Sequence, residues 1–190
     1  DWSSDVCSSD LGDNRYAYNI LSGRRADRDF YGFDYHYETH STDSKGRRQT
    51  HHHHFSGVIL GSAIPLKSLT IRPEGFFDRI GAFFGYEDIN FESAEFSRKF
   101  HVTAPDRRWA YDVLHARAIE FLLAFPVYSI DMEPTHVLAW RNSTFAPEQF
   151  DEAARAIEGL LDRLPEYVRQ ARLASPDAVP PLPAPPPLPG

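Results

Sequence analysis

The sequence predicts an α+β domain, in which a mainly antiparallel sheet begins with an N-terminal meander and two long helices pack on one side. The first half of the chain is rich in aromatic and β-branched residues, separated by breaks that contain Gly, Asp and Ser. The second half changes to apolar residues that recur at helical spacing. Strands that come first and helices that come mostly later favour the α+β class.

Both ends of the chain differ in composition from its body. Residues 1–11 resemble the conceptual translation of a sequencing-adapter oligonucleotide, so we expect this segment to be foreign to the natural protein; a genuine polar arm is the alternative. Eight of the 15 prolines lie within residues 176–190, which predicts a disordered tail. Residues 180–183 and 186–189 have the spacing that a proline-recognition module binds, and a plain spacer is the alternative. Residues 12–175 are predicted to form a single α+β domain.

Composition excludes several classes of protein. The 190 residues are 42% hydrophobic and 25% charged, as in globular domains and unlike collagen or coiled coils. The formal net charge is −7, and the body carries −3 because the two terminal segments hold four acidic and no basic residues. Basic residues are scattered and form no stripe with aromatic ones, so no nucleic-acid partner is expected. The single cysteine, Cys7, rules out an internal disulfide.

The first half of the body predicts a meander of four strands. These strands cover Tyr16–Leu21, Phe30–His40, Gln49–Leu60 and Ser68–Arg72. Asp43–Gly46 has the residues of a tight turn, with aspartate at the first position and glycine where a positive φ is needed. Along the second strand, Phe33, Tyr35 and Tyr37 alternate with polar residues. We therefore expect the aromatic side of this strand to meet the core.

The second half of the body predicts two long helices and some shorter elements. Asp106 suits the N-cap of a helix whose apolar residues continue to Phe125 and which Pro126 ends. Pro147 suits the first position of the second long helix, which Pro165 should kink or restart. The shorter elements are a helix over residues 76–84, a strand through Phe96, Phe100 and Val102, and a hairpin of Tyr128–Met132 and Val137–Trp140.

Six of the nine histidines lie in the predicted hairpin of the second and third strands. If Asp43–Gly46 is the turn and Thr42 faces Arg47, cross-strand pairing places four potential ligands on one face, namely His36, Glu38, His51 and His53. Such a set can hold zinc or another divalent metal ion. Two alternatives stay open: imidazoles that are only solvated, and a pH-responsive patch in which clustered imidazoles lower one another's pKa.

The sequence offers few means of covalent or cofactor chemistry. No serine lies in a Gly-x-Ser-x-Gly motif, and the one thiol belongs to residues 1–11. No glycine-rich phosphate loop follows a predicted strand. These observations favour a non-enzymatic protein. A metal-binding module or metal-dependent enzyme that uses the hairpin histidines is the alternative.

Five short runs of sequence resemble a bacterial family known only as a domain of unknown function. In chain order they are Phe33–Tyr37, Ile71–Gly75, Phe91–Phe96, Trp109–Val113 and Ala139–Arg141. The resemblance implies a single transmembrane helix and a short basic segment before a domain that lies in the cytoplasm, and residues 1–11 fall where that anchor would end. It assigns no catalytic residue. It therefore implies a membrane-associated domain with a binding or accessory role and an unidentified protein partner.

Overall fold

One seven-stranded sheet organises the protein in this computed structural model, which describes residues 13–74 and 88–174. All neighbouring strands are antiparallel, in the order β1-β2-β3-β7-β6-β4-β5. The strands are β1 (Asp13–Arg25), β2 (Arg28–Thr42), β3 (Arg48–Gly61), β4 (Leu69–Pro73), β5 (Phe100–Thr103), β6 (Ser129–Glu133) and β7 (His136–Arg141). The helices are α1 (Ala94–Lys99), α2 (Arg107–Val113), α3 (Ala116–Ala124), α4 (Pro147–Asp162) and α5 (Glu166–Leu173). The predicted α+β class is confirmed.

Apolar side chains on one face of the sheet form the core together with the helices. Val58 and Leu60 of β3 and Val137 and Ala139 of β7 are completely buried, because α4 packs across these two strands. The buried residues of α4 are Phe150, Ala153, Ala154, Ala156, Ile157, Leu160 and Leu161. We call this side of the sheet the helix face. Within the described ranges, no helix has the length and apolar character needed to cross a membrane.

The predicted pair of long helices is not confirmed, because the first of them is two short helices in the structure, whereas α4 begins at Pro147 as predicted. The helix expected from Asp106 to Phe125 is interrupted at Leu114, which has a non-helical φ of −97° and ψ of 50°. His115 then precedes α3, and its Nε2 atom lies 2.8 Å from the carbonyl oxygen of Arg163 at the end of α4. This contact is between residues far apart in sequence, so apolar periodicity does not reveal it.

The strand predicted through Phe96 is also shorter in the structure. The hydroxyl of Ser93 accepts a hydrogen bond from the backbone N–H of Phe96 at 3.3 Å, and this N-cap starts α1. Phe96 is therefore helical, and β5 begins at Phe100. The helix predicted over residues 76–84 lies outside the described residues, as do the two atypical terminal segments.

The turn between β2 and β3 places the hairpin in a different register from the predicted one. The carbonyl of Asp43 accepts from the N–H of Gly46 at 3.0 Å, and the N–H of Asp43 donates to the carbonyl of Arg47 at 2.9 Å. Gly46 has a left-handed φ of 77°, as in hairpins whose third loop residue forms a bulge. Thr42 consequently pairs with Arg48 instead of Arg47. This one-residue shift sends every side chain of β3 to the face opposite the predicted one.

The aromatic side of β2 lies away from the helix face, which makes the predicted orientation of this strand wrong. Asp34 and His36 point to the helix face, with relative exposures of 7% and 4%. Phe33 and Tyr35 point to the other face, where both rings contact the ring of Phe55 at centroid distances of 6.2 and 4.9 Å. The alternation of aromatic and polar residues predicted the wrong face because the polar side chains are buried with hydrogen-bond partners. The aromatic rings on the other face are only half-buried.

Asp106 is the predicted N-cap of α2, and the structure confirms it. Its carboxylate accepts from the backbone N–H of Trp109 at 3.2 Å and from Lys67 Nζ at 2.6 Å. These contacts, with Lys67 first, hold the pKa of Asp106 below its ordinary value.

Replacing Asp106 with alanine should therefore lower the free energy of unfolding by about 1 kcal/mol at pH 7. Because the pKa is lower in the folded state, this stabilisation is present above the unfolded-state pKa and is lost as the pH falls through the folded-state pKa. The free energies of unfolding of the parent chain and Asp106→Ala, measured with urea, should thus begin to converge below about pH 4, the unfolded-state pKa, and become equal only below the folded-state pKa. The matched control is Ser93→Ala, which removes an N-cap that does not titrate. An Asp106→Ala deficit that is the same at all pH values would contradict the ionic role.

Candidate functional site

Potential metal ligands gather on the helix face, in the part of the hairpin towards the β2–β3 turn. The observed register pairs His36 with His54 and Glu38 with His52. We call these four residues the histidine cluster. Within residues 13–74 and 88–174, one group of three His, Cys, Asp or Glu residues brings its ligand atoms within 4.8 Å of one another, and it consists of His36, Glu38 and His52.

Within this group, His52 Nδ1 lies close to a ligand atom of each of the other two residues. His36 Nε2 and His52 Nδ1 are 3.3 Å apart, and His52 Nδ1 is 3.2 Å from Glu38 Oε1. These short distances follow from the pairing of β2 with β3, because His52 lies directly opposite Glu38 and diagonally opposite His36. The arrangement can chelate a divalent cation, or share protons between imidazole and carboxylate.

Asn14 of β1 orients two of these side chains. Its Nδ2 donates to Glu38 Oε1 at 2.9 Å, and its backbone carbonyl lies 3.2 Å from His36 Nδ1. A carbonyl oxygen can only accept, so His36 donates through Nδ1–H and keeps the lone pair of Nε2 directed at the group. The hydrogen bond from Asn14 lowers the pKa of Glu38, and the imidazole of His52 acts in the same direction. The carboxylate is therefore held in the ionised form that binds cations.

The cluster is closed on one side and open on the other. His36 is only 4% exposed, and the ring of Tyr16 lies over it with a centroid distance of 4.9 Å. His52, by contrast, has a side chain that is 59% exposed. His54 Nδ1 lies 3.2 Å from the hydroxyl of Tyr18. An ion from solvent could therefore reach the group past His52.

Two of the four ligands predicted from sequence, His51 and His53, lie on the opposite face of the sheet. The ring of His53 stacks on Tyr37 with a centroid distance of 4.6 Å, and its Nε2 is 2.8 Å from Thr39 Oγ1. Burial lowers the pKa of His53, with its histidine neighbours adding to the shift. The predicted set was wrong in these two members because the turn contains one more residue than expected, and His52 takes their place. Metal binding itself stays a prediction.

A second polar group lies beside the cluster and next to the start of α4. The hydroxyl of Ser56 donates to the carboxylate of Asp34 and accepts from the backbone N–H of Phe145 at 2.9 Å. Asn19 Nδ2 donates to the other carboxylate oxygen of Asp34 at 2.8 Å. Ser56 is completely buried. This group joins the three strands β1, β2 and β3 to the segment before α4.

Sequence reasoning missed the contribution of β1 to both polar groups. Asn14 and Asn19 have left-handed φ values of 51° and 50°, and each lies where the register of β1 shifts against β2. Asparagine tolerates this conformation better than most residues, and such irregularities redirect side chains. Asn19, an asparagine within the predicted strand Tyr16–Leu21, was the available signal for a bulge, whereas Asn14 lies before that predicted strand.

The comparisons with known proteins identify a related fold. No family model matches the sequence, and no curated protein matches it. The chain is similar to the crystal structure of the mycobacterial trehalose monomycolate transport factor A, TtfA, with a TM-score of 0.56 and 13% sequence identity. The similarity covers 77% of this chain and 71% of that one. At this identity the likeness shows a shared fold.

Proposed function

We propose that this chain is the folded domain of a bacterial membrane-associated accessory protein, which binds a partner in a transport process instead of catalysing a reaction. The observation that carries the proposal is the fold shared with a mycobacterial transport factor over 77% of the chain. The resemblance of the sequence to a membrane-anchored family of unknown function is in keeping with membrane association. The cytoplasmic orientation of the domain is part of the proposal and rests on that resemblance.

Several ionisable side chains of the sheet are paired with one another, as in a structural network. Arg72 Nη2 contacts Asp131 Oδ1 at 2.6 Å, and Trp140 Nε1 donates to the other oxygen of the same carboxylate at 2.9 Å. The hydroxyl of the buried Tyr128 donates to Glu152. Burial raises the pKa of this phenol, and the hydrogen bond to Glu152 raises it further. These groups hold one another in place, and a tyrosine with a raised pKa is a poor base at neutral pH.

The proposal is tested with the complete gene product, including whatever residues precede this chain naturally. Fused at its C-terminus to green fluorescent protein, it should sediment with bacterial membranes, resist a carbonate wash and fluoresce. The matched fusion to alkaline phosphatase should be inactive, because that enzyme matures only outside the cytoplasm. Proximity labelling from the same terminus should enrich a membrane transport protein over cytosolic proteins.

The opposite results would overturn the proposal in separable ways. A complete product that stays in the soluble fraction contradicts membrane association. An active phosphatase fusion contradicts the cytoplasmic orientation. Labelling that does not distinguish membrane transport proteins from abundant cytosolic ones contradicts the accessory role.

A further inference from the structure

We propose that His36, Glu38 and His52 bind one divalent metal ion of the zinc class, with a fourth position left for water or a small anionic ligand. We call these three residues the metal triad. The inference rests on the geometry of the hairpin and is independent of any membrane role.

The spacing of the ligand atoms fits a tetrahedral ion. With metal–ligand bonds of about 2.0–2.1 Å, two ligands of a tetrahedral zinc ion lie about 3.3–3.4 Å apart. Two of the three separations match this value, with 3.3 Å between His36 Nε2 and His52 Nδ1 and 3.2 Å between His52 Nδ1 and Glu38 Oε1. The third, between the ligand atoms of His36 and Glu38, lies within 4.8 Å, so binding of one ion by all three residues requires these two side chains to approach each other. Two imidazoles and one carboxylate are also a ligand set that zinc accepts.

The surroundings hold two members of the triad, His36 and Glu38, in the protonation states that a metal needs. His52 Nδ1 faces two acceptors, the lone pair of His36 Nε2 and the carboxylate of Glu38, so His52 releases the Nδ1 proton when the ion binds. Metal binding requires neutral imidazole and ionised carboxylate. The carbonyl of Asn14 fixes the Nδ1–H tautomer of His36, while the amide of the same residue holds Glu38. Outer partners of this kind, which orient the ligands, accompany natural metal-binding histidines. Asn14 is thus a positioning residue for two of the three ligands at once.

Three protein ligands leave one coordination position free. His52 is the most exposed member of the triad, with 59% of its side chain accessible, so the open position faces solvent. Closed structural zinc sites use four protein ligands, whereas sites with three keep a position for exchangeable water. The triad would therefore bind an accessible ion that can take up an anionic group, such as a carboxylate or phosphate.

A run of four consecutive histidines can also chelate metal ions non-specifically. The fold distinguishes such chelation from binding at the metal triad. His51 and His53 point to the opposite face, where His53 stacks on Tyr37. A specific site therefore depends on His52 and not on His51 or His53. Non-specific chelation by the histidine run at residues 51–54 would instead depend on all four histidines to a similar degree.

The test uses the full chain prepared without an affinity tag and titrates it with Zn²⁺ in competition with a chelator of known affinity. We expect one zinc ion per chain, and a Co²⁺ complex with the intense visible absorption of four-coordinate geometry. His52→Ala and Glu38→Gln should each weaken binding by at least about 100-fold, and Asn14→Gly, which keeps the left-handed φ, by about 10-fold. The matched control, His51→Ala combined with His53→Ala, should change affinity by less than about threefold.

A second measurement keeps folding apart from binding. Zinc should raise the melting temperature of the parent chain and of the His51/His53 double variant by several degrees, and should leave His52→Ala unchanged. His52 is exposed, so this variant should keep the parent's circular dichroism spectrum. The proposal is overturned if no stoichiometric zinc binds, or if the double variant loses as much affinity as His52→Ala. Unimpaired binding by Glu38→Gln would remove the carboxylate from the site and overturn the triad.

Discussion

Replacing Ser56 with alanine should lower the free energy of unfolding by about 3 kcal/mol, since it breaks two buried hydrogen bonds at once. The backbone N–H of Phe145 loses its acceptor, and one oxygen of Asp34 loses its donor. Each buried polar group left without a partner costs roughly 1–3 kcal/mol. Ser56 is completely buried and Asp34 is only 7% exposed, so solvent is poorly placed to replace the lost contacts.

Urea denaturation at pH 7 measures this effect as a lower midpoint with an unchanged slope. The matched control is Ser143→Ala, because Ser143 is exposed and contributes only its backbone carbonyl, which accepts from the N–H of Ser56 at 3.1 Å. That control should remain within about 0.5 kcal/mol of the parent chain. Equal midpoints for Ser56→Ala and the parent would contradict the role of this group in joining β3 to the segment before α4.

The first residue of a helix was predictable from sequence where a single local residue determines it. Asp106 and Pro147 each mark the beginning of a helix in the sequence and in the structure, because capping and the fixed φ of proline act within one turn. The split between α2 and α3 was not predictable in this way. It is stabilised by the contact of His115 with Arg163, 48 residues away, and no local pattern encodes such a contact.

In the candidate site, a turn that is one residue longer than predicted changes which histidines of β3 lie beside His36 and Glu38. The sequence correctly places Asp43 and Gly46 in the turn, but their hydrogen bonds close a loop that makes Thr42 pair with Arg48. Side chains alternate along a strand with a period of two, so an error of one residue exchanges the two faces completely. His36 and Glu38 survive as neighbours because they belong to the same strand, whereas the partner from β3 depends on the register.

Replacing Gly159 with alanine should lower the free energy of unfolding by about 2 kcal/mol, although alanine is the better helix former. A Cβ atom at this position of α4 would lie 2.1 Å from Cζ of Phe121. The guanidinium of Arg163 lies 4.0 Å from the centroid of this ring, and the ring of Phe125 lies 4.6 Å away, so displacement of the Phe121 ring would disturb both contacts. Overpacking of this severity costs about 3 kcal/mol, and the helix propensity of alanine returns about 1 kcal/mol.

A double-mutant cycle with Phe121→Ala isolates this cause. Phe121 is only partly buried, so the chain with alanine there should still fold, with reduced stability. In that background the ring is gone, and Gly159→Ala should now stabilise the protein by about 1 kcal/mol through helix propensity alone. The expected coupling energy between the two positions is therefore about 3 kcal/mol, measured by urea denaturation of all four proteins. If Gly159→Ala has the same sign in both backgrounds, the close approach of α3 and α4 at Gly159 is not what excludes a side chain there.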